Sequence, residues 1–266
     1  MLGKQSIAYT KKPYLIGSGS IVGNKEAQGP MGKLFDKVGY DDKFGADTWE
    51  SAESSLQQEA VEIALHKANL NKQDIQVIYA GDLLGQSIAS SFGMSQFELP
   101  HVGLYGACST CGLSLAMGSM SVAAGFVPKC VCVTSSHFAR AEKEFRFPLA
   151  YGTQRPKSAT WTVTGSAAFV LSEQPGKQVQ AVIEGVTLGK IVDYGVKDSM
   201  NMGACMAPAA ADTIRQHLED FGRTPEDYDK IITGDLGKVG QQLLFDLLQE
   251  AQIDITKQHM DCGIEI

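Results

Sequence analysis

The chain has 266 residues, of which 44% are hydrophobic and 20% charged, a composition typical of a globular protein with one large or two small domains. The net charge of −7 argues against a nucleic-acid-binding surface, so we expect no nucleic-acid partner. The sequence contains no apolar run of the roughly 20 residues that a membrane span needs, and its first residues lack the apolar stretch of a secretory signal. The six cysteines are therefore expected to be reduced.

Predicted strands and helices alternate along the chain, which favours an α/β fold with a largely parallel sheet. The predicted strands cover residues 14–22, 75–80, 131–134, 160–172, 179–187 and 230–234. The predicted helices cover residues 48–69, 113–126, 207–221 and 239–251. The glycine-rich stretch 23–47 and the polar, basic stretch 139–157 are predicted to be loops.

An internal repeat is the strongest architectural signal in the sequence. The stretch DIQVIYAGDL at 74–83 is similar to DYDKIITGDL at 227–236, and 153 residues separate Asp82 from Asp235. This predicts two duplicated halves, residues 1–175 with a cysteine-bearing helix and residues 176–266. The second half ends 31 residues after Asp235 without a counterpart of that helix. We therefore expect an incomplete second half and a longer functional protein.

Cys108 lies in the most distinctive stretch, Tyr105 to Gly112 (YGACSTCG). The following run from Leu113 to Ala124 has no charge, which predicts a helix buried on all sides. Backbone N–H groups and the helix dipole at its start would favour a thiolate. Cys108 is therefore a candidate nucleophile or the floor of an anion-binding pocket, with a buried structural cysteine as the alternative. Together with Cys111 it also fits a redox pair or half of a zinc site, although a single C-x-x-C is weak evidence for either.

Polar residues that follow the predicted strands are the other candidates. Asp82 and Asp235 end the two repeated strands, where α/β proteins bind ligands, although a turn-capping role fits them equally well. Ser136 and His137 end the strand of the cysteine half, and a core or surface histidine is the alternative interpretation of His137. Cys130 and Cys132 alternate with valines and are expected to pack in the core.

These features resemble the thiolase and ketoacyl-synthase superfamily, in which a cysteine begins a buried central helix of a duplicated α/β fold. Within it the chain is similar to the stage V sporulation protein AD family of spore-forming bacteria. The matching stretches are Tyr14–Gly17, Ala80–Leu84, Tyr105–Cys111, Arg146–Leu149, Tyr151–Gly152, Asp193–Gly195, Ile232–Gly237 and Asp261–Gly263. The resemblance implies a layered α-β-α-β-α arrangement of two thiolase-like halves, and that family continues beyond the point where this chain ends.

The resemblance also implies a function. A protein of this family would bind dipicolinic acid (pyridine-2,6-dicarboxylic acid), alone or as its calcium chelate, and support its uptake into the developing spore. Its expected partners are the other stage V sporulation A membrane proteins, and its expected location is peripheral, on the inner membrane of the forespore and spore, with a link to germination. A homodimer through the central layer is expected as well.

The ligand-binding residues that we predict are Cys108, Ser109, Asp82, Asp235, Ser136, His137, Arg146 and Arg155. Arg146 and Arg155 are included because a guanidinium clamps a carboxylate with two hydrogen bonds. We predict neither a metal nor a cofactor.

Catalysis is not expected, because the residues that condensing enzymes need beside the cysteine are missing. Those enzymes pair it with a histidine of the second half, followed by a second histidine or an asparagine. Here the corresponding strand end reads GDLG at 234–237, and no histidine follows before His259. The alternative functions are an acyl-transferring condensing enzyme with Cys108 as nucleophile and a structural scaffold with a vestigial pocket.

Overall fold

The structure is a computed structural model that describes residues 1–145 and 156–266. These residues form two compact units. The sheet unit comprises residues 9–145 and 162–184, and the C-terminal unit comprises residues 1–8, 156–161 and 185–266. The predicted boundary between residues 175 and 176 stays a prediction.

A mixed sheet of seven strands forms the centre of the sheet unit. Its strands are β2 (Tyr14–Gly23), β3 (Lys37–Gly39), β4 (Val77–Gly81), β5 (His101–Leu104), β6 (Lys129–Ser136), β7 (Gly165–Ser172) and β8 (Ala181–Val182). Their order is β3-β2-β7-β6-β4-β5, and β8 pairs with β2. Strands β4, β5 and β6 are parallel to one another, whereas β7 is antiparallel to both of its neighbours.

Helices cover both faces of this sheet. They are α1 (Asn24–Ala27), α2 (Trp49–Ala68), α3 (Ile88–Ser95), α4 (Thr110–Ala123) and α5 (Phe138–Phe145). Helix α2 packs Leu56, Ala60 and Ala64 against one face, and α4 packs Val122 against the other. The α/β class predicted from the sequence is therefore confirmed.

The C-terminal unit contains two small sheets and two long helices. Strand β1 (Ser6–Ala8) pairs with β9 (Gly185–Thr187), and β10 (Ile231–Thr233) is parallel to β11 (His259–Asp261). The helices are α6 (Met202–Phe221), α7 (Gly237–Glu250) and α8 (Cys262–Glu265). Leu244 and Leu248 of α7 are fully buried in an apolar cluster with Ala207 of α6. In the described residues, no helix has the length and apolarity that crossing a bilayer requires.

The internal repeat continues in the local geometry of α2 and α6. Both helices have 20 residues, and 153 residues separate their first residues, Trp49 and Met202. The same spacing relates the other landmarks: the N-caps Thr48 and Asn201, the left-handed C-caps Asn69 and Gly222, and the capping boxes Asn71–Asp74 and Thr224–Asp227. Agreement at so many non-helical positions supports a duplication of this segment.

Several predicted elements differ from the observed ones. Predicted loop 23–47 contains α1 and β3, and the described part of loop 139–157 contains α5, in which Ala141 and Glu142 are buried. The predicted strand 179–187 is two short strands, β8 and β9. Helix α4 is not buried on all sides. It presents one face, with Ser114, Gly118 and Val122, to the sheet, because only one stripe of a straight helix can contact a flat neighbour.

Candidate ligand-binding site

Cys108 lies at the edge of the sheet where the parallel strands end. Gly81 of β4 is paired with Leu104 of β5 and with Thr134 of β6, so the three carboxyl ends lie side by side. A 3-10 turn at Ala107–Ser109 then leads from β5 into α4. Cys108 is in this turn and is exposed to solvent. Ligands of α/β proteins commonly bind at this edge, which makes the turn the centre of the candidate site.

Side chains hold the turn that carries Cys108. Ala107 has a φ of +47°, a left-handed conformation that is unfavourable for a residue with a Cβ atom. The hydroxyl of Ser109 donates to the carbonyl of Gly106 at 2.7 Å, and the hydroxyl of Thr110 donates to the carbonyl of Ala107 at 2.7 Å. Thr110 Oγ1 also accepts from the amide of Gly106 at 3.1 Å. These bonds stabilise the strained turn and fix the backbone position of Cys108.

The other cysteines of the sheet unit lie behind this turn. Cys111, near the start of α4, is partly buried, and its burial raises the pKa of its thiol. Cys130 and Cys132 are fully buried on β6, which confirms the packing role predicted for them. The thiol of Cys132 lies 3.1 Å from the carbonyl oxygen of Ser114, and burial also raises its pKa.

Asp82 orders the chain that leaves β4. Its side chain is buried, Oδ1 accepts from the amide of Leu84 at 2.8 Å, and Oδ2 accepts from the amide and the hydroxyl of Ser90 at 2.8 and 2.6 Å. These bonds support the turn-capping interpretation of Asp82. Its role as a ligand-binding residue stays a prediction.

A buried polar network extends from Asp82 to α2. The side-chain nitrogen Nε2 of Gln57 lies 3.2 Å from the carbonyl oxygen of Gly81. It lies 2.9 and 2.8 Å from the hydroxyl oxygens of Ser90 and Ser135. The hydroxyl of Ser135 donates to Glu53 Oε1 at 2.8 Å. Burial raises the pKa of Glu53 to about 8, and the carboxylate of Asp82 acts in the same direction. Glu53 therefore holds its proton at neutral pH.

The sequence analysis missed Glu53 and Gln57, although a signal for them exists. Both residues occur at helical spacing with Ala60 and Ala64, and all four side chains are buried. Polar residues on the buried stripe of a helix indicate an internal hydrogen-bond network.

His137 is buried beneath the segment that precedes α2. It is 2% exposed, its Nε2 lies 2.8 Å from the carbonyl oxygen of Asp42, and its ring lies against Phe44 and Trp49. Because a carbonyl only accepts, Nε2 carries the proton in this bond. The hydroxyl of the adjacent Ser136 donates to the carbonyl of Val163 at 2.6 Å. The geometry thus matches the core interpretation of His137, and the binding roles predicted for both residues stay predictions.

Asp235 belongs to the C-terminal unit, where it is half-buried after β10. The turn that follows it is held by a different carboxylate, that of the buried Asp261. Oδ2 of Asp261 accepts from the amide of Leu236 at 3.0 Å and from the hydroxyl of Thr233 at 2.7 Å, and Oδ1 accepts from the amide of Gly237 at 3.1 Å. The binding role of Asp235 stays a prediction.

Some expectations concern residues or features away from the turn. Arg146 and Arg155 lie outside the described residues. Among residues 1–145 and 156–266, no group of histidine, cysteine and carboxylate side chains is arranged to hold a metal ion.

A cavity of about 490 Å³ is lined by Lys12, Tyr14, Val122 and Glu173, beside the other end of α4. Because a helix of 14 residues is about 20 Å long, this cavity is remote from Cys108.

Comparison with known proteins assigns the chain to a family. The family model of stage V sporulation protein AD (SpoVAD) matches residues 3–266. The chain belongs to the stage V sporulation protein AD family. It is 43% identical to stage V sporulation protein AD of Bacillus subtilis (strain 168) over 267 residues, which cover 100% of this chain and 78% of that protein.

Solved structures confirm the thiolase-like fold of this stage V sporulation protein AD family member. The 3-oxoacyl-[acyl-carrier-protein] synthase III of Aquifex aeolicus VF5 matches with a TM-score of 0.59 and 14% identity, over 95% of this chain and 84% of that one. The cerulenin-bound OleA of Xanthomonas campestris matches with a TM-score of 0.64 and 13% identity, over 97% of this chain and 84% of that one. At these identities the similarity shows the fold alone.

Proposed function

We propose that this protein binds dipicolinic acid and supports its uptake into the developing spore, without catalysing a reaction. Membership of the stage V sporulation protein AD family supports the role in sporulation. The observation that carries the non-catalytic part of the proposal is the placement of the five histidines, because a condensing enzyme needs an imidazole beside its cysteine.

Each histidine is engaged or remote from Cys108. In the sheet unit, His137 is bound to Asp42, His101 begins β5 at its amino end, and His66 lies in the last turn of α2, about 20 Å along the helix from Glu53. In the C-terminal unit both ring nitrogens of each histidine are within 3.0 Å of a partner: Thr187 and Tyr228 for His217, Thr233 and Gln241 for His259. Burial lowers the pKa of both, which favours neutral rings in these bonds.

The chemistry around Cys108 suits a flat dianion. The first turn of α4 has no acidic residue, so the positive end of the helix dipole favours a carboxylate there. The neutral state of Glu53 removes a negative charge that would otherwise repel such a ligand. Arg146 and Arg155 are proposed as further carboxylate contacts.

Calorimetry with dipicolinate, in the presence and absence of calcium, tests the binding proposal. Cys108→Phe should weaken binding at least tenfold, or about 1.4 kcal/mol, because the larger side chain occupies the space above the turn. The matched control is Cys205→Phe, the same change at an exposed position of α6. Equal affinity for both variants, or no binding by the wild-type protein, would reject dipicolinate binding at this turn.

Incubation with an acyl thioester tests the alternative of a condensing enzyme. That alternative rests on the exposed position of Cys108 at the head of a helix in a fold that condensing enzymes share. Intact mass spectrometry should find no stable acyl group on Cys108. A stable adduct at this residue would contradict the non-catalytic proposal.

The proposal includes a homodimer that acts at the inner membrane of the forespore and spore with the other stage V sporulation A membrane proteins. Strand β5 is an edge strand, and Leu113, Leu115 and Met117 of α4 are only partly buried. A second copy would cover these apolar side chains. Sedimentation should give a dimer, and purification of the membrane proteins from sporulating cells should retain the protein. A monomer in sedimentation would contradict the homodimer. Loss of the protein from the purified membrane-protein fraction would contradict its association with the stage V sporulation A membrane proteins.

A further inference from the structure

Cys108 and Cys111 are one helical turn apart at the start of α4. Cys108 is in the 3-10 turn Ala107–Ser109, and Cys111 is the second residue of α4. Side chains at positions i and i+3 are neighbours on a helix surface, and they eclipse one another where the helix is 3-10. The two cysteines are therefore within the reach that a disulfide needs after a small backbone adjustment.

The two thiols differ in exposure. Cys108 is exposed, whereas Cys111 is partly buried against β6, where its thiol lies beside Thr134. Burial raises the pKa of Cys111, so this thiol stays protonated and unreactive in the reduced protein. An exposed first thiol at a helix start and a protected second thiol one turn later are what sequential thiol–disulfide exchange requires.

We propose that Cys108 and Cys111 form a reversible dithiol–disulfide pair that exchanges with low-molecular-weight disulfides, with Cys108 as the attacking thiol and Cys111 as the resolving thiol. This site does not depend on the proposed ligand. Its oxidation would change the thiol at the centre of the candidate site into a half-cystine.

The exchange balances in two steps. The Cys108 thiolate attacks one sulfur of the external disulfide, that S–S bond breaks, and the other sulfur leaves as a thiolate that takes up a proton. Cys111 then loses its proton and attacks the Cys108 sulfur of the mixed disulfide, which releases the second external thiol. The two protein thiols are oxidised, and one external disulfide is reduced to two thiols.

The remaining cysteines serve as internal controls. Cys130 and Cys132 are fully buried and should not react. Cys205 is exposed on α6, which contains no other cysteine. Cys205 should therefore form a mixed disulfide that persists, because no resolving thiol lies one turn away.

Oxidised glutathione and peptide mapping after acid quenching test the proposal on the full chain. In the wild-type protein, the peptide with Cys108 and Cys111 should lose two hydrogen atoms and keep no glutathione, and dithiothreitol should reverse the change. Cys111→Ser and Cys111→Ala should both retain one glutathionyl group on Cys108. Cys108→Ser should leave Cys111 unmodified. A persistent glutathionyl group on wild-type Cys108, an unreactive Cys108, or modification of Cys111 in Cys108→Ser would overturn the proposal.

Discussion

Helices α2 and α6 share their length, their caps and the turns that follow them, but they differ in the residues that face inward. Glu53 and Gln57 of α2 join a buried polar network at the strand ends. The positions 153 residues later are Met206 and Ala210, which pack against the apolar cluster of the C-terminal unit. Caps and turn residues define the backbone of a repeated segment, whereas its inward side chains are free to diverge.

The carboxylates that follow the repeated strands show the same divergence. In the first copy Asp82 itself bonds to the amides after β4, whereas in the second copy Asp261 on the neighbouring strand bonds to the amides after β10. The turn after the second GDL is thus held by a carboxylate from outside that motif. The polar network occurs in the copy that carries Cys108, which agrees with the proposed site in that copy.

The largest expected effect concerns the proton of Glu53. Its pKa is raised from 4.5 to about 8, so between these pH values the folded state holds a proton that the unfolded state has released. The free energy of unfolding should therefore fall as the pH rises through this window, by on the order of 5 kcal/mol in total. Glu53→Gln removes the titration, so its stability relative to wild type should increase from about pH 5 to about pH 8 and stay constant above.

Urea unfolding at several pH values measures this difference. Glu62→Gln is the matched control, because Glu62 is exposed on the same helix. It should follow the wild type at every pH. A constant offset between Glu53→Gln and wild type across the window would show that Glu53 is ionised in the folded state.

The next effect distinguishes the three aspartates. Asp82→Ala leaves two buried amides and a hydroxyl without their acceptor, and Asp261→Ala leaves the amides of Leu236 and Gly237 in the same state. Each change should cost about 3 kcal/mol of unfolding free energy. Asp235→Ala should cost less, because Asp261 still accepts from the amides of Leu236 and Gly237. Equal losses for Asp235→Ala and Asp261→Ala would show that the two copies use their GDL carboxylates alike.

Much of the framework was predictable because it depends on local signals. The strand at Tyr14–Gly23, the helix at Trp49–Ala68 and the repeat spacing of 153 residues follow from apolar periodicity and from caps. Helix α5 was not predictable from the sequence, because its stability depends on contacts that are distant in sequence. In one of them, Glu142 accepts from the amide and hydroxyl of Thr162.

The candidate site was predictable in part. The position of Cys108 at the start of a helix is a local property, and the structure shows it. The burial of Glu53 has a signal in the helical spacing of its buried stripe, but its partner Ser135 has none there. The environment of His137 depends on the segment around Asp42, which leaves no signal at the histidine itself. Burial turns one of these residues into a core histidine and the other into a neutral carboxyl group.

The smallest expected effect concerns the C-caps of α2 and α6. Both residues are left-handed, with φ values of +56° at Asn69 and +62° at Gly222. Glycine adopts this conformation without strain and asparagine at a small cost, so Asn69→Gly should stabilise the protein and Gly222→Asn destabilise it, each by a few tenths of a kcal/mol. Gly222→Ala should lower the free energy of unfolding by about 1 kcal/mol. A Cβ atom at Gly222 would have no neighbour within 4 Å, so this decrease reports the backbone conformation alone. Thermal unfolding of the three variants measures the shifts. A loss of stability in Asn69→Gly would mean that the side chain of Asn69, and not only its backbone, stabilises the first copy.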